Sequence, residues 1–303
     1  KVTIHSNINH QSTNNRFKLN FSTIYTDEKN KLPVSDFTIK AYSLEPNAPS
    51  LYDEDGNLNW ENNTWENPFA SLKENYKAEI STLIMNAVAS YDILPNLVLK
   101  SSIGFNSYSL DSYRTLPSSA RNPSLGLTSQ NYSSLTTNSS NRQSWLVEPQ
   151  LNWRKDWENI KLNILVGTTF QSETTQQFVQ KGTGFPNNNL INNLVAAETL
   201  EALQDTDSEY NYQAFFGRVN LNFYDKYIIN ITGRRDGSSR FGPGKQFGNF
   251  GAAGLAWLFS KENFFSNSSI LSFGKLRASY GITGSDNIGD YKFLDTYNIT
   301  GGN

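Results

Sequence analysis

The strongest constraint on this chain is an apolar residue at every second position, repeated in segment after segment. Phe17, Leu19 and Phe21 alternate with Lys18, Asn20 and Ser22. The stretch "YIINITGRRDGSSRFG" does the same, with Tyr227, Ile229 and Ile231 set against Asn230, Thr232 and Arg234. Matching runs are Ala87, Ala89, Tyr91 and Ile93; Leu97, Leu99, Ile103 and Phe105; and Trp145, Val147, Leu151 and Trp153. Further along come Ile160, Leu162, Ile164 and Val166; Phe215, Val219, Leu221 and Phe223; Leu255, Trp257 and Phe259; and Leu276, Ala278, Tyr280 and Ile282. With a weaker first run at Val2, Ile4 and Ile8, ten strands are predicted.

The links between them alternate in length. Short ones fall at 11–15, 93–96, 155–158 and 224–226, with a slightly longer one at 260–270; long ones fall at 26–76, 109–142, 177–208 and 236–247. A soluble sandwich has no reason to keep its short turns at one end, whereas outer-membrane barrels have short periplasmic turns and long extracellular loops. Trp153, Trp157, Phe223, Tyr224, Tyr227, Phe259, Phe264 and Phe265 sit beside the short turns, at the level where amphipathic rings meet lipid headgroups.

Composition fits that reading. Mean hydropathy is −0.54, yet aromatics reach 13%. A disordered chain would lack the rings. Alternating lipid-facing and lumen-facing residues average to this mixture. The formal charge of −2 and pI of about 5.8 give no footprint for nucleic acid or a polybasic membrane anchor. Absence of cysteine excludes disulfides, Cys-ligated zinc and thiol chemistry. Apolar runs such as Leu83–Met85 are far too short for a spanning helix. With Lys1 first and no signal peptide, a mature or internal piece is expected.

The segments "GRRDGSSRFGPGKQFGNFGAAGLAWLFSKENFF" and "LSFGKLRASYGITGSDNIGDYKFLDTY" closely resemble the SusC/RagA-type TonB-linked outer-membrane proteins. "SLYDEDGNLNW" and "NPFASL" look like loop segments of the same family. The strong part covers 227–297. The resemblance implies a 22-stranded barrel with an N-terminal plug in the outer membrane of a Gram-negative bacterium. It implies import of oligosaccharides or peptides, energised through the TonB complex, with a SusD-like surface lipoprotein as lid. Residues 1–303 are expected to be a partial barrel domain without plug or terminal strands. Strand direction supports an interior fragment: with periplasmic short turns both ends lie outside the cell, whereas complete barrels of this kind end in the periplasm.

Candidate contacts for cargo or lid fall in two places. Arg234, Arg235, Asp236 and Arg240 offer charge at the lumen mouth for an anionic or hydroxyl-rich cargo; the plainer reading is a rim ion-pair network pinning the loop, which the residue types favour. Residues 43–69 carry Tyr52, Trp60, Trp65 and Phe69, faces on which sugars, apolar side chains or a lid protein pack; here too the plainer reading, loop packing, stays open.

Other motifs fail on spacing. Gly237 to Gly242 has phosphate-loop spacing, but Pro243 stands where Lys is required. Asp53, Asp55 and Asn57 suggest calcium, but Leu51 and Asn62 occupy essential ligand positions, and Asp55-Gly56 makes a better hairpin turn. His5 and His10 lack a third ligand, so no metal is expected. No Ser or Thr has a credible His partner, and Glu148, Glu173 and Glu209 read as lumen-facing residues rather than a glycosidase pair. No enzyme activity and no cofactor are expected. Leu194, Ala197, Leu200 and Leu203 suggest a short helix packing a long outer loop. The alternative function is a secreted carbohydrate-binding β-sandwich with Tyr52, Trp60 and Trp65 as stacking platforms.

Overall fold

The computed structural model describes residues 1–265 and 272–294. Ten antiparallel strands lie in one sheet in strict chain order. They are β1 (Val2–Gln11), β2 (Phe17–Leu32), β3 (Asn75–Leu94), β4 (Leu97–Leu116), β5 (Ser134–Asp156), β6 (Ile160–Thr183), β7 (Thr199–Phe223), β8 (Tyr227–Ser238), β9 (Phe247–Trp257) and β10 (Leu276–Ile282). The fold is all-β, and no helix among the described residues is long and apolar enough to cross a membrane.

Register shows why alternation recurs. Paired residues point to the same side of a sheet, so each apolar run must align with its neighbours'. One row runs Ile8, Phe21, Ala87, Ile103, Val147, Phe170 across β1 to β6. Another runs Ile164, Val219, Ile231, Ala253, Tyr280 across β6 to β10. The opposite face carries Glu148, Thr169, Arg218, Asn220 and Asn230 by the same parity.

Among the described residues nothing packs on the apolar face. Ile231 is 53% exposed and Leu255 59%. The chain's 20549 Å² of accessible surface exceeds the about 12,800 Å² of a compact globular protein of this mass. The sandwich alternative therefore fails: it needs a second sheet over those residues, and all ten strands belong to one. The exposed stripe is the lipid face of a barrel wall. Aromatics bound it at both levels. Strand β9 opens with Phe247 and closes with Trp257, and its 11 residues match the roughly 9–11 that a transmembrane strand needs.

The short turns fall at one end of the sheet, at 12–16, 95–96, 157–159 and 224–226, with the longer link 258–275; part of that link lies outside the described residues. Glu262 organises this link, accepting from Lys226 Nζ at 3.0 Å, Tyr227 Oη at 2.7 Å and Trp257 Nε1 at 3.1 Å. Donation by Tyr227, Trp257 and Lys226 holds its carboxyl down at about 2.

At the other end the loops are shorter than alternation alone suggested, at 33–74, 117–133, 184–198 and 239–246. Strands continue beyond the lipid, where both faces meet water and the apolar period fades while the hydrogen-bond ladder persists. Glu209 is corrected for this reason: its register places it on the apolar side, above the lipid level, not in the lumen. The expected helix over 194–203 is also corrected. Only Leu194–Ala196 forms a 3₁₀ turn, and Leu200 and Leu203 already belong to β7.

The loops build the one apolar cluster that the described residues bury: Leu135, Phe185 and Ile191, with Leu194, Ala196 and Ala197 against it. Asn188 bridges loops, accepting from Ser133 Oγ at 2.7 Å and donating to Ser118 Oγ at 3.1 Å. In 33–74 the buried Asn67 donates to the Leu51 and Asn59 carbonyls at 2.6 and 2.9 Å and accepts from Phe69 N–H at 2.9 Å. The turn at Asp55-Gly56 forms as expected, with Asp53 Oδ1 accepting from Asp55 and Asn57 N–H at 3.0 and 2.7 Å and Gly56 at φ 79°.

Candidate functional site

The richest cluster of charge and aromatic surface lies on the polar face at the loop end of β7, β8 and β9. Cross-strand pairing puts Phe216, Arg234 and Phe250 in one row, and Ala214, Asp236 and Gly248 in the next. Arg234 donates to Asp236 and to Tyr212 Oη, with its guanidinium 5.6 Å from the Phe216 ring centroid. One turn outward, Arg240 Nε donates to Asp290 Oδ1 at 2.8 Å, and Cζ sits 4.2 Å over the Tyr210 ring.

The segment after β10 folds back onto this patch. Tyr210 Oη donates to Asp286 Oδ2 at 2.7 Å, and Tyr291 Oη accepts from Glu209 N–H at 3.0 Å. Gly284 lets it approach: a Cβ there would collide with the Phe250 ring. Burial pushes the Asp286 carboxyl up, but donation by Tyr210 and Ser238 and the charge of Arg240 outweigh it and hold the group below the ordinary aspartate value. Between the segment and the wall lies a cavity of about 440 Å³, walled by Tyr210, Tyr212, Phe250, Asp236, Asp286 and Lys245. Such a volume falls in the range of small-ligand sites, about 300–1,000 Å³.

The structure brings Arg234, Asp236 and Arg240 to this patch and sends Arg235 elsewhere. Arg235 pairs with Phe215 and Asn249, on the lipid-side face, and lies 5.1 Å from the Phe247 ring centroid. Tyr52, Trp60 and Trp65 belong to the β2–β3 loop, separated from the patch by intervening strands. Tyr52 meets Phe69 edge-on at 6.1 Å, and Phe69 meets Phe37 at 5.8 Å, so part of this aromatic set packs the loop. Trp60 and Trp65 are half-buried.

Tyr210, Tyr212, Phe216 and Phe250 were not anticipated. Their signal is an aromatic at polar parity, where a barrel strand ordinarily carries Asn, Ser or Thr. Glu148 and Glu173 do face the polar side, accepting from Thr169 Oγ1 at 2.7 Å and Arg142 Nη2 at 2.8 Å. Among the described residues no group of His, Asp and Glu is arranged to hold a metal ion. His10 instead lies near Phe17, ring centroids 6.0 Å apart.

No protein-family model matches the chain. It is 31% identical over 264 residues to TonB-dependent receptor P39 of Formosa agariphila, covering 84% of this chain and 24% of that protein. It is 41% identical over 85 residues to the TonB-dependent receptor SusC of Bacteroides thetaiotaomicron, covering 28% of this chain and 8% of that one. A solved structure of the RagAB peptide transporter superposes with a TM-score of 0.75 at 19% identity, over 95% of this chain and 33% of that chain; this likeness concerns the fold. The chain thus spans about a quarter of the curated receptor that it matches along most of its length. Sequence and wall geometry together identify the chain as part of the β-barrel of a SusC/RagA-type TonB-dependent outer-membrane receptor.

Proposed function

We propose that the receptor containing this chain imports large nutrients, oligosaccharides or peptides, across the outer membrane with energy delivered through TonB, and that a SusD-like lipoprotein closes its outer mouth. The observation that carries this is the wall itself: a sheet with a lipid-ready face, short turns at one end, and a crown of ordered loops at the other. The named relatives are receptors and a transporter. Residues 1–303 supply part of the wall; β1 and β10 each keep an edge with no partner strand among the described residues. Lipid cannot satisfy such edges, so other strands of the receptor complete the barrel.

Within this reading the inner patch at Arg234, Asp236 and Arg240 meets cargo mainly through the rings and hydroxyls of Tyr210 and Tyr212, because the arginines are already paired. Tyr52, Trp60 and Trp65 meet cargo or lid from the crown. Cells carrying the full-length receptor are expected to take up labelled oligosaccharides or labelled peptides, one class and not both, only when TonB is present, and the lipoprotein is expected to co-purify. Trp60→Ala combined with Trp65→Ala should lower uptake or lipoprotein recovery at normal surface abundance. TonB-independent uptake would refute the transport proposal, and unchanged uptake and recovery would assign the tryptophans to loop packing.

A further inference from the structure

We propose that Arg235, backed by Phe215 and Phe247, binds the phosphate of an anionic outer-leaflet lipid on the outside of the wall. Consecutive arginines in a strand face opposite ways, and register settles which is which. Arg235 follows Tyr227, Ile229 and Ile231 at every second position and pairs with Phe215. Arg234 turns to the lumen.

Height matters as much as direction. Eight residues separate Arg235 from Tyr227 (235 − 227) beside the inner turn. At about 3.4 Å per residue and a tilt near 40°, the rise is about 21 Å, close to the top of a lipid band about 25 Å tall. Its cross-strand partner Phe215 is the last ring of the apolar run on β7. Phe247 stands one row higher and occupies the space that Gly237, lacking a Cβ, leaves open.

Arg234 and Arg240 have carboxylate partners. Among the described residues Arg235 has none. A cation at the hydrocarbon edge is poorly solvated and extends toward the headgroups. There a lipid phosphate offers acceptor oxygens that match the planar guanidinium fork, while Phe247 holds the fork in place by a cation–π contact. A lipid is held at this height by its own chains, so the occupant is a lipid and not a dissolved anion.

The test uses the full-length receptor, purified in mild detergent and incubated with phosphorylated or dephosphorylated lipid A, with bound lipid counted by native mass spectrometry. One cation near a charged lipid surface is worth about 1 kcal/mol, or roughly fivefold in occupancy. Arg235→Gln should therefore retain about fivefold less phosphorylated lipid A than wild type, and Arg235→Lys should recover most of it. Heat-modifiable migration equal to wild type verifies that each variant is folded. Equal retention by wild type and Arg235→Gln, or no preference of wild type for the phosphorylated form, overturns the proposal. The inference rests on the lipid-facing wall and not on import, so its failure would leave the transport reading untouched.

Discussion

The wall and the crown solve the same problem in opposite ways. In the wall, Val166 is 49% exposed and Ile231 53%, and each touches protein mainly across the ladder. In the crown, Phe185 is 0% exposed and Leu135 2%, and the buried Asn67 has every polar group of its side chain bonded. The wall relies on lipid for its second layer; the crown builds its own. The same type of apolar side chain is therefore stabilising in the two places for different reasons, and substitutions can separate them.

The largest effect is expected in the crown. Phe185→Ala removes the centre of the loop cluster and should cost about 3–5 kcal/mol locally. Limited proteolysis should then cut within 117–133 and 184–198 while the wall stays protected. Cleavage in the strands as well would show that crown and wall fold as one unit.

Next comes the wall. Ile231→Arg places a charge near the middle of the lipid face and should cost about 2–4 kcal/mol, reducing assembled barrel in the membrane fraction. Asn230→Arg, one residue away on the lumen face, should assemble normally. Equal loss from both would erase the distinction between faces.

These two regions also differ in how much of them was legible in the chain. Alternation at Tyr227, Ile229 and Ile231 exposes the lipid face because hydrocarbon penalises polar residues there. Above the lipid, "SLTTNSSNRQS" at 134–144 carries no such period, although it is strand throughout; water on both faces removes the constraint that writes the pattern. The patch was half visible. Arg234, Asp236 and Arg240 stood out as a charged run, but Asp290 lies 50 residues from Arg240 and meets it only through folding. Tyr212 and Phe250 were hidden because period-two reading discards aromatics at polar parity. The splitting of Arg234 from Arg235 follows from strand parity already present in the sequence.

A smaller effect is expected at Asn67. Asn67→Ala strands the Asn59 carbonyl and the Phe69 N–H of the β2–β3 loop, while the Leu51 carbonyl keeps the Asn59 N–H, and should cost about 1–3 kcal/mol. Hydrogen exchange at Phe69 should accelerate, with rates in β3 unchanged; unchanged exchange at Phe69 would show that the loop is held by its rings alone.

The smallest effect belongs to the inner turn. The Glu262 carboxyl is held at about 2, against 4.5 ordinarily. A carboxylate depressed by folding contributes stability above its unfolded value, and that contribution is lost as pH falls toward the folded value. The stabilising contribution of the turn should therefore decline between pH 4.5 and about 2, and Glu262→Gln should remove that pH dependence in a thermal scan. An identical pH profile in both proteins would mean that the three donors do not favour the charged form.

Orientation of the wall is tested most directly by surface labelling. In a cysteine-free full-length receptor, Ser124→Cys and Asn189→Cys, exposed in the long loops, should react with an impermeant maleimide on intact cells. Thr13→Cys, exposed in a short turn, should react only after the outer membrane is permeabilised. Labelling of Thr13→Cys on intact cells, with the two loop positions silent, would contradict a wall whose crown faces outward.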